Sequence, residues 1–166
     1  MNKKVNLIIG SGVLGAYLSA NLIKKKEKVI VTTRSLRKKP YNYNYLKIQK
    51  KVKFEKLDIK NKALIHKIIN KYEPEKIFYF AGQSSIPKSL KSPEETFQSH
   101  YNGTKNFLDV LKEKNLKIKF FKANSGYIFS PNKGRIDLNC KFSSNKNPYV
   151  KAQKKSFKLL KKYRQF

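Results

Sequence analysis

Gly10-Ser11-Gly12-Val13-Leu14-Gly15 follows a short apolar run, Val5 to Ile9, and precedes a helix-like stretch and a second apolar run ending in Thr32-Thr33-Arg34. Glycines at this spacing between a strand and a helix form a cradle for a pyrophosphate. Gly10 lets the chain turn sharply out of the strand, Gly12 lets the backbone come within contact of phosphate oxygens, and Gly15 lets the helix pack closely on the sheet. The helix N-terminus then faces the anion with unpaired N–H groups. Leu14 belongs to the same cofactor-binding turn. The strand, turn, helix and strand fit within the roughly 30 residues that a dinucleotide fingerprint requires. Two plainer readings compete: a glycine turn without a ligand, and a secretory signal in which Asn2-Lys3-Lys4 is the charged start and Leu18-Ser19-Ala20 the cleavage site. Asn6, Asn21 and three glycines interrupt the apolar block, which disfavours the signal.

The elements that would position this cradle alternate along the chain. Short apolar or β-branched runs predict strands at 4–9, 28–33, 52–57, 76–80 and 117–123. Helices are expected between them at 14–26, 61–72, 94–114 and 149–163. Ser92-Pro93 and Asn147-Pro148 supply start signals for the last two. In the last helix Ala152, Phe157, Leu160 and Tyr163 recur at helical spacing, with Lys158, Lys161 and Lys162 on the outer side. Alternation of this kind implies an α/β fold with right-handed crossovers. The expectation is a Rossmann-type doubly wound parallel sheet of order 3-2-1-4-5, one domain over residues 1–166, with ligand at the carboxyl edge between strands one and four. Residues 36–50, rich in Lys, Tyr and Asn, read as an irregular loop or a poor helix.

The 166 residues suffice for one core. A single cysteine, Cys140, excludes an internal disulfide, reads as a buried or loop thiol, and suggests a cytoplasmic, reducing setting. No metal-ligand set is read, and no stretch is apolar enough to span a bilayer convincingly. Lys and Arg number 39 against 10 Asp and Glu, a formal charge of +29. Such a field attracts any polyanion. The cations are mostly lysines spread from Lys3 to Lys162, which reads as a solvated surface rather than a nucleic-acid arm.

The second half resembles the extended short-chain dehydrogenase/reductase family, and within it the GDP-mannose 4,6-dehydratases and the NAD-dependent sugar-nucleotide epimerases. Ile77 to Ser85, with Ala81-Gly82-Gln83, is similar to the family's strand-four segment over the cofactor. Asn102-Gly103-Thr104 is similar to its long helix, Phe121 to Phe129 to the segment that delivers a catalytic Ser or Thr, and Asn147-Pro148-Tyr149 to the start of a Tyr-x-x-x-Lys helix. The resemblance implies that Gly10, Gly12, Leu14 and Gly15 hold the pyrophosphate, that Asp58 meets the adenine, and that Ala81, Gly82 and Gln83 line the nicotinamide. A helix cap is the plainer role for Asp58. Thr33 and Arg34 stand where an acid would bind the ribose 2′-OH of NAD. Arg34, helped by Arg37, suits a 2′-phosphate, so NADP is expected ahead of NAD.

Catalytic roles implied by the resemblance fall on Tyr149 as base, Ser125 as its hydrogen-bond partner and Gln153. Four departures accompany them. Gln153 replaces the lysine, and Lys154, one residue on, is turned about 100° around the helix. A phenol at its ordinary pKa of about 10 is only ~0.1% ionised at neutral pH, against roughly half at 7, a gap of about 4 kcal/mol that such a cation would help to close. Tyr127 replaces the dehydratase glutamate, which moves the proton in 4,6-dehydration. The glycine spacing is one residue shorter than the family's usual pattern, and the C-terminal substrate lobe is not within these residues.

The favoured expectation is therefore the NAD(P)-binding domain of a sugar-nucleotide epimerase/dehydratase-like protein, divergent or truncated, with redox at sugar C4 if it turns over. Its substrate would be a sugar nucleotide, with GDP-mannose or a derivative among the candidates. A catalytically silent NADP-binding protein is the alternative, and a nonspecific nucleic-acid binder comes behind it. Helices 94–114 and 149–163 suit a homodimer interface, at a cost in lysine repulsion.

Overall fold

Runs rich in Val and Ile have few polar side chains to offer solvent, and here they lie side by side in the interior. The computed structural model describes residues 4–37, 40–132 and 134–164. By contact the chain divides into two compact units, residues 1–81 with 109–123, and residues 82–108 with 124–166.

The first unit holds a parallel sheet of β1 (Val5–Ile9), β2 (Lys28–Thr33), β3 (Lys53–Lys56), β4 (Lys76–Tyr79) and β5 (Lys119–Lys122), in the order β3-β2-β1-β4-β5. The expected order holds, with strand ends trimmed by one or two residues. Parallel strands need helices on both faces. Ile8, Val29 and Val31 join a core cluster with Ala16 and Leu22 of α1 (Val13–Lys24). Leu7 and Ile9 alternate to the other face, and α3 (Lys62–Tyr72) buries Ile65, Ile68 and Ile69. Among the described residues, no helix is long and apolar enough to cross a membrane.

Two details of this unit bear on the expected pattern. Of the two readings of residues 36–50, the helix holds over a short span, α2 (Tyr41–Tyr45), where the Tyr43 ring is fully buried and meets Phe54 edge-on at 5.0 Å. Burial pushes the Tyr43 hydroxyl up to about 12, against a smaller downward pull from Ser19. The helix after β3 is capped by Asn61, whose Oδ1 accepts from the Leu64 amide at 3.0 Å, so Asp58 is not its cap.

The second unit contains α4 (Ile86–Lys91), α5 (Pro93–Phe97) and α7 (Pro148–Tyr163). The single helix expected over 94–114 is interrupted: α5 runs into a π turn, Gln98–Asn102, before α6 (Gly103–Glu113). Leu108 is the last α6 residue of the second unit, and Asp109–Ala123 belong to the first. Asn147 caps α7 by accepting from the Val150 amide at 2.8 Å, and Pro148 occupies its first position.

Lys122, at the end of β5, is a buried cation. It pairs with Tyr79 in register, its Nζ donates to the Ala123 carbonyl at 3.1 Å, and it lies 5.9 Å from the centre of the Tyr79 ring. Burial pushes this ammonium down to about 8 from 10.5. Below pH 8 both folded and unfolded chains carry the proton, so the cost of burying the charge, about 3 kcal/mol, is fully present. Between 8 and 10.5 the unfolded chain binds more protons, so this contribution to stability rises with pH. Lys122→Met is therefore expected to stabilise the fold by about 1–3 kcal/mol at neutral pH, with the gain vanishing near pH 10.5, as read by urea unfolding of both proteins across that range.

Candidate functional site

In the first unit the three glycines do different work. Gly10 leaves β1 with φ +105°, and a Cβ there would lie 2.9 Å from the Ala81 nitrogen. Gly15 is buried, and a Cβ on it would sit 2.4 Å from the Gly10 carbonyl oxygen, 3.2 Å from the Tyr43 hydroxyl and 3.3 Å from Ile8. Gly12 is the opposite case, because a Cβ there meets nothing within 4 Å. It is the N-cap residue of α1, with ordinary extended backbone (φ −75°, ψ −168°) and no side-chain cap. The first turn of α1 thus keeps donors without a side-chain acceptor above an open space, while Val13 and Leu14 are exposed beside it. That is the geometry an anion-binding helix N-terminus requires.

The other first-unit positions lie at or just beyond strand ends. Arg34 and Arg37 are exposed beyond β2, in a bend where Thr33 Oγ1 donates to the Ser35 carbonyl at 3.1 Å and the Arg37 amide donates to Ser35 Oγ at 3.3 Å. Asp58 is exposed beyond β3, its Oδ1 accepting from the Lys60 amide at 3.0 Å. Ala81 is half-buried against Gly10. Among the described residues no group of three or more His, Cys, Asp or Glu is placed to hold a metal ion.

In the second unit Gly82, Gln83, Tyr149 and Gln153 are joined through a residue that sequence reading missed. His100, in the π turn, is buried, and its Nε2 donates to the Gln83 carbonyl at 2.7 Å. A carbonyl only accepts, so this bond fixes the proton on Nε2. Gly82 lies so close to the ring that a Cβ would fall 2.3 Å from Cε1. The imidazole also meets the Tyr149 ring edge-on, with centroids 5.4 Å apart. The Gln83 side chain is anchored too: its Nε2 donates to Thr96 Oγ1 at 2.7 Å and its Oε1 accepts from the Ser85 amide at 2.9 Å. No spacing rule would reveal His100, because its partners are a backbone carbonyl and a glycine.

Tyr149 is buried in the first turn of α7, where its hydroxyl accepts from Gln153 Nε2 at 3.3 Å. An amide here is a neutral donor, weaker toward a phenolate than an ammonium would be. Lys154 points elsewhere, its Nζ donating to the Ser143 carbonyl and, at 3.5 Å, to the Asn145 carbonyl. Ser125 opens a 3-10 turn, Gly126–Ile128, and its Oγ accepts from the Tyr127 amide at 3.3 Å. Tyr127 itself is 68% exposed. The structure therefore joins Tyr149 to Gln153, while the Ser125 hydroxyl is engaged within its own turn.

A match to the family GDP-mannose 4,6 dehydratase spans residues 7–166. The chain belongs to this family. The UDP-glucose 4-epimerase of Mycoplasma genitalium is 25% identical over 128 residues, covering 76% of this chain and 37% of that protein. The CDP-paratose 2-epimerase of Salmonella typhi is 26% identical, covering 72% of this chain and 36% of its own length. The structure of Thermus thermophilus UDP-glucose 4-epimerase in complex with NAD superposes with a TM-score of 0.82 at 22% identity, over 97% of this chain and 51% of that one. The Bifidobacterium longum UDP-glucose 4-epimerase, in complex with NAD+ and UDP, gives 0.83 at 21% identity. The likeness in structure is one of fold, and the chain spans about half the length of these solved relatives.

The unequal surroundings of Gly12 and Gly15 separate folding from ligand binding. Gly15→Ala should cost about 2–3 kcal/mol, because backbone must shift to admit the methyl group. Gly12→Asp should leave stability within about 1 kcal/mol of the parent or raise it, since Asp is a favoured N-cap residue and the space is open. Thermal unfolding of the two variants beside the parent checks both outcomes.

Proposed function

We propose that this chain binds a nicotinamide dinucleotide and forms the cofactor-binding part of a sugar-nucleotide epimerase/dehydratase-like protein. The observation that carries the reading is the open space over Gly12 at an α1 N-terminus lacking a side-chain cap, beside two glycines whose small size packing already explains. The pyrophosphate would be held by the Gly10–Gly15 turn with Leu14, and the nicotinamide side by Ala81, Gly82 and Gln83. Asp58 is the proposed adenine contact, its carboxylate already oriented by the Lys60 amide. Arg34 and Arg37, beyond a strand that ends without an acid, favour a 2′-phosphate and hence NADP. The dinucleotide, when bound, supplies a hydride acceptor or donor.

Tyr149 would take the proton from a sugar 4-OH, with Gln153 donating to the phenolic oxygen and Ser125 reaching the same hydroxyl once released from its turn. Redox at C4 of a sugar nucleotide, a UDP- or GDP-sugar, suits these residues better than 4,6-dehydration, because Tyr127 offers no carboxylate to move a proton. The amide of Gln153 beside the Tyr149 hydroxyl also supports a second reading, a binding protein that holds the dinucleotide without turnover.

Calorimetric titration with NADPH and NADH tests the binding. Gly12→Asp, folded, should lose at least about tenfold in affinity for both, through repulsion of the pyrophosphate. Arg34→Ala should weaken NADPH about tenfold and spare NADH; equal effects would remove the 2′-phosphate role. For the chemistry, Gln153→Lys should create or raise nicotinamide-linked turnover of UDP-glucose or GDP-mannose, followed by absorbance. No change from a folded, dinucleotide-binding variant would favour the silent reading.

A further inference from the structure

In the first unit, the segment from α2 to β3 sorts its side chains sharply. Tyr43, Ile48 and Val52 are buried, Tyr43 against Phe54 of β3. Backbone bonds tie the turn between them: the Ile48 amide donates to the Tyr43 carbonyl at 3.0 Å, and the Lys51 amide to the Ile48 carbonyl at 2.9 Å. Left outside are Tyr41 and Tyr45, 76% and 66% exposed, followed by the exposed Lys47, Lys50, Lys51 and Lys53. Four residues apart on α2, the two tyrosines share a helical face. Their rings stack on each other, with centroids 6.3 Å apart and planes at 24°. From Lys28 to Phe54 the sequence has neither Asp nor Glu, so no carboxylate of this stretch competes for the lysines.

Lysines alone would not single out this face, because they are spread over the whole chain, and Lys53 also guards a sheet edge. The stacked tyrosines do single it out. An anionic membrane calls for a helix that inserts a stripe of apolar side chains, whereas α2 has five residues and turns Tyr43 inward. A protein partner calls for a packed apolar centre, whereas this face offers two phenols, an exposed Asn44 and lysines. A nucleic-acid duplex keeps its base faces covered. A single strand supplies both missing halves: open bases to stack on the rings and phosphates to meet the ammonium groups. We propose that the α2 face, Tyr41 and Tyr45 with Lys47, Lys50 and Lys51, binds single-stranded nucleic acid without sequence preference. The surface uses neither the Gly10–Gly15 turn nor Arg34 and Arg37, and so stands apart from the dinucleotide reading.

The probe is a labelled oligothymidylate of about 12 nucleotides, within the length such surfaces cover, followed by fluorescence anisotropy from low to physiological salt. Saturable binding is expected, its log affinity falling linearly with log salt. Changing Tyr41 and Tyr45 together to Ala keeps the net charge and should weaken the strand about tenfold or more. Changing both to Phe keeps the rings and should cost less than about twofold. Both sites are exposed and Ala is a good helix former, so circular dichroism should be unchanged. Should the Ala pair unfold, Tyr41→Ala alone is expected to cost about threefold or more. Changing Lys50 and Lys51 to Gln should reduce the salt slope by about 1–1.5, for two lost phosphate contacts. The same change at Lys117 and Lys119, exposed at the β5 edge and thus across the sheet from β3, should leave the slope within about 0.5. The proposal is overturned by any of these results: no saturable binding; equal affinity in the parent and a folded Ala pair; equal slope changes from the two lysine pairs; a duplex of the same length bound as tightly as the single strand; phosphatidylserine vesicles that displace the strand and release the Ala pair; or displacement by NADPH, which would place the strand on the dinucleotide turn.

Discussion

The approach of α1 to the turn leaving β1 is the contact on which the first unit depends. Where Gly15 faces the Gly10 carbonyl there is no room for a methyl group, and the same spot is closed by the Tyr43 hydroxyl and Ile8. Ser19 Oγ donates to the Gly15 carbonyl at 2.6 Å and lies 3.4 Å from that hydroxyl. A buried polar knot of this kind is stable because its members satisfy one another. It fixes the helix against the strand, places α2 through Tyr43, and aims the α1 N-terminus. The open space above Gly12 follows from that packing, since a helix set further from the strand would leave its first amides pointing elsewhere.

The sheet was legible because its strands are short apolar runs separated by helical periodicity, and only their ends shifted by a residue or two. The glycine turn after β1 was legible because glycine spacing reflects steric limits directly. Other features depend on partners far away in sequence. A lysine reads as a solvent-facing residue, and nothing in the run Phe120-Phe121-Lys122-Ala123 announces that its ammonium is buried beside Tyr79. Asn6 shows the same limit: it interrupts an apolar strand, yet its Nδ2 donates to Glu27 Oε2 at 2.7 Å. That bond, aided by Lys76, holds the Glu27 carboxyl below the usual range. Tyr43 in a stretch rich in Tyr and Asn carries no periodic signal, so loop and short helix stayed equally open there and its burial was hidden. The π turn was hidden as well, because Gln98 to Asn102 contains neither proline nor glycine.

Fold and chemistry draw on different residues in this chain. The sheet needs glycines at the cradle and Val, Ile and Phe within the strands, and these are present in full. The chemistry proposed for Tyr149 depends on what faces one phenolic oxygen, and there an amide stands in place of an ammonium. Replacing a buried cation by an amide of similar length removes a desolvation cost while weakening the stabilisation of a phenolate. The packing that keeps the architecture is thus largely separable from the groups that face the phenol.

The π turn between α5 and α6 is one residue wider than an α turn, and so acts as a phase shift in an otherwise continuous helical rod. A shift of one residue rotates every following side chain by about 100° around the axis. A change of length in this segment therefore acts differently from a change of residue. Loss of one residue would be invisible to helix propensity and yet carry His100 away from the Gln83 carbonyl, whereas a compensating insertion on the same turn would restore the alignment. The length of residues 98–102, more than their composition, sets whether His100 meets the Gln83 carbonyl.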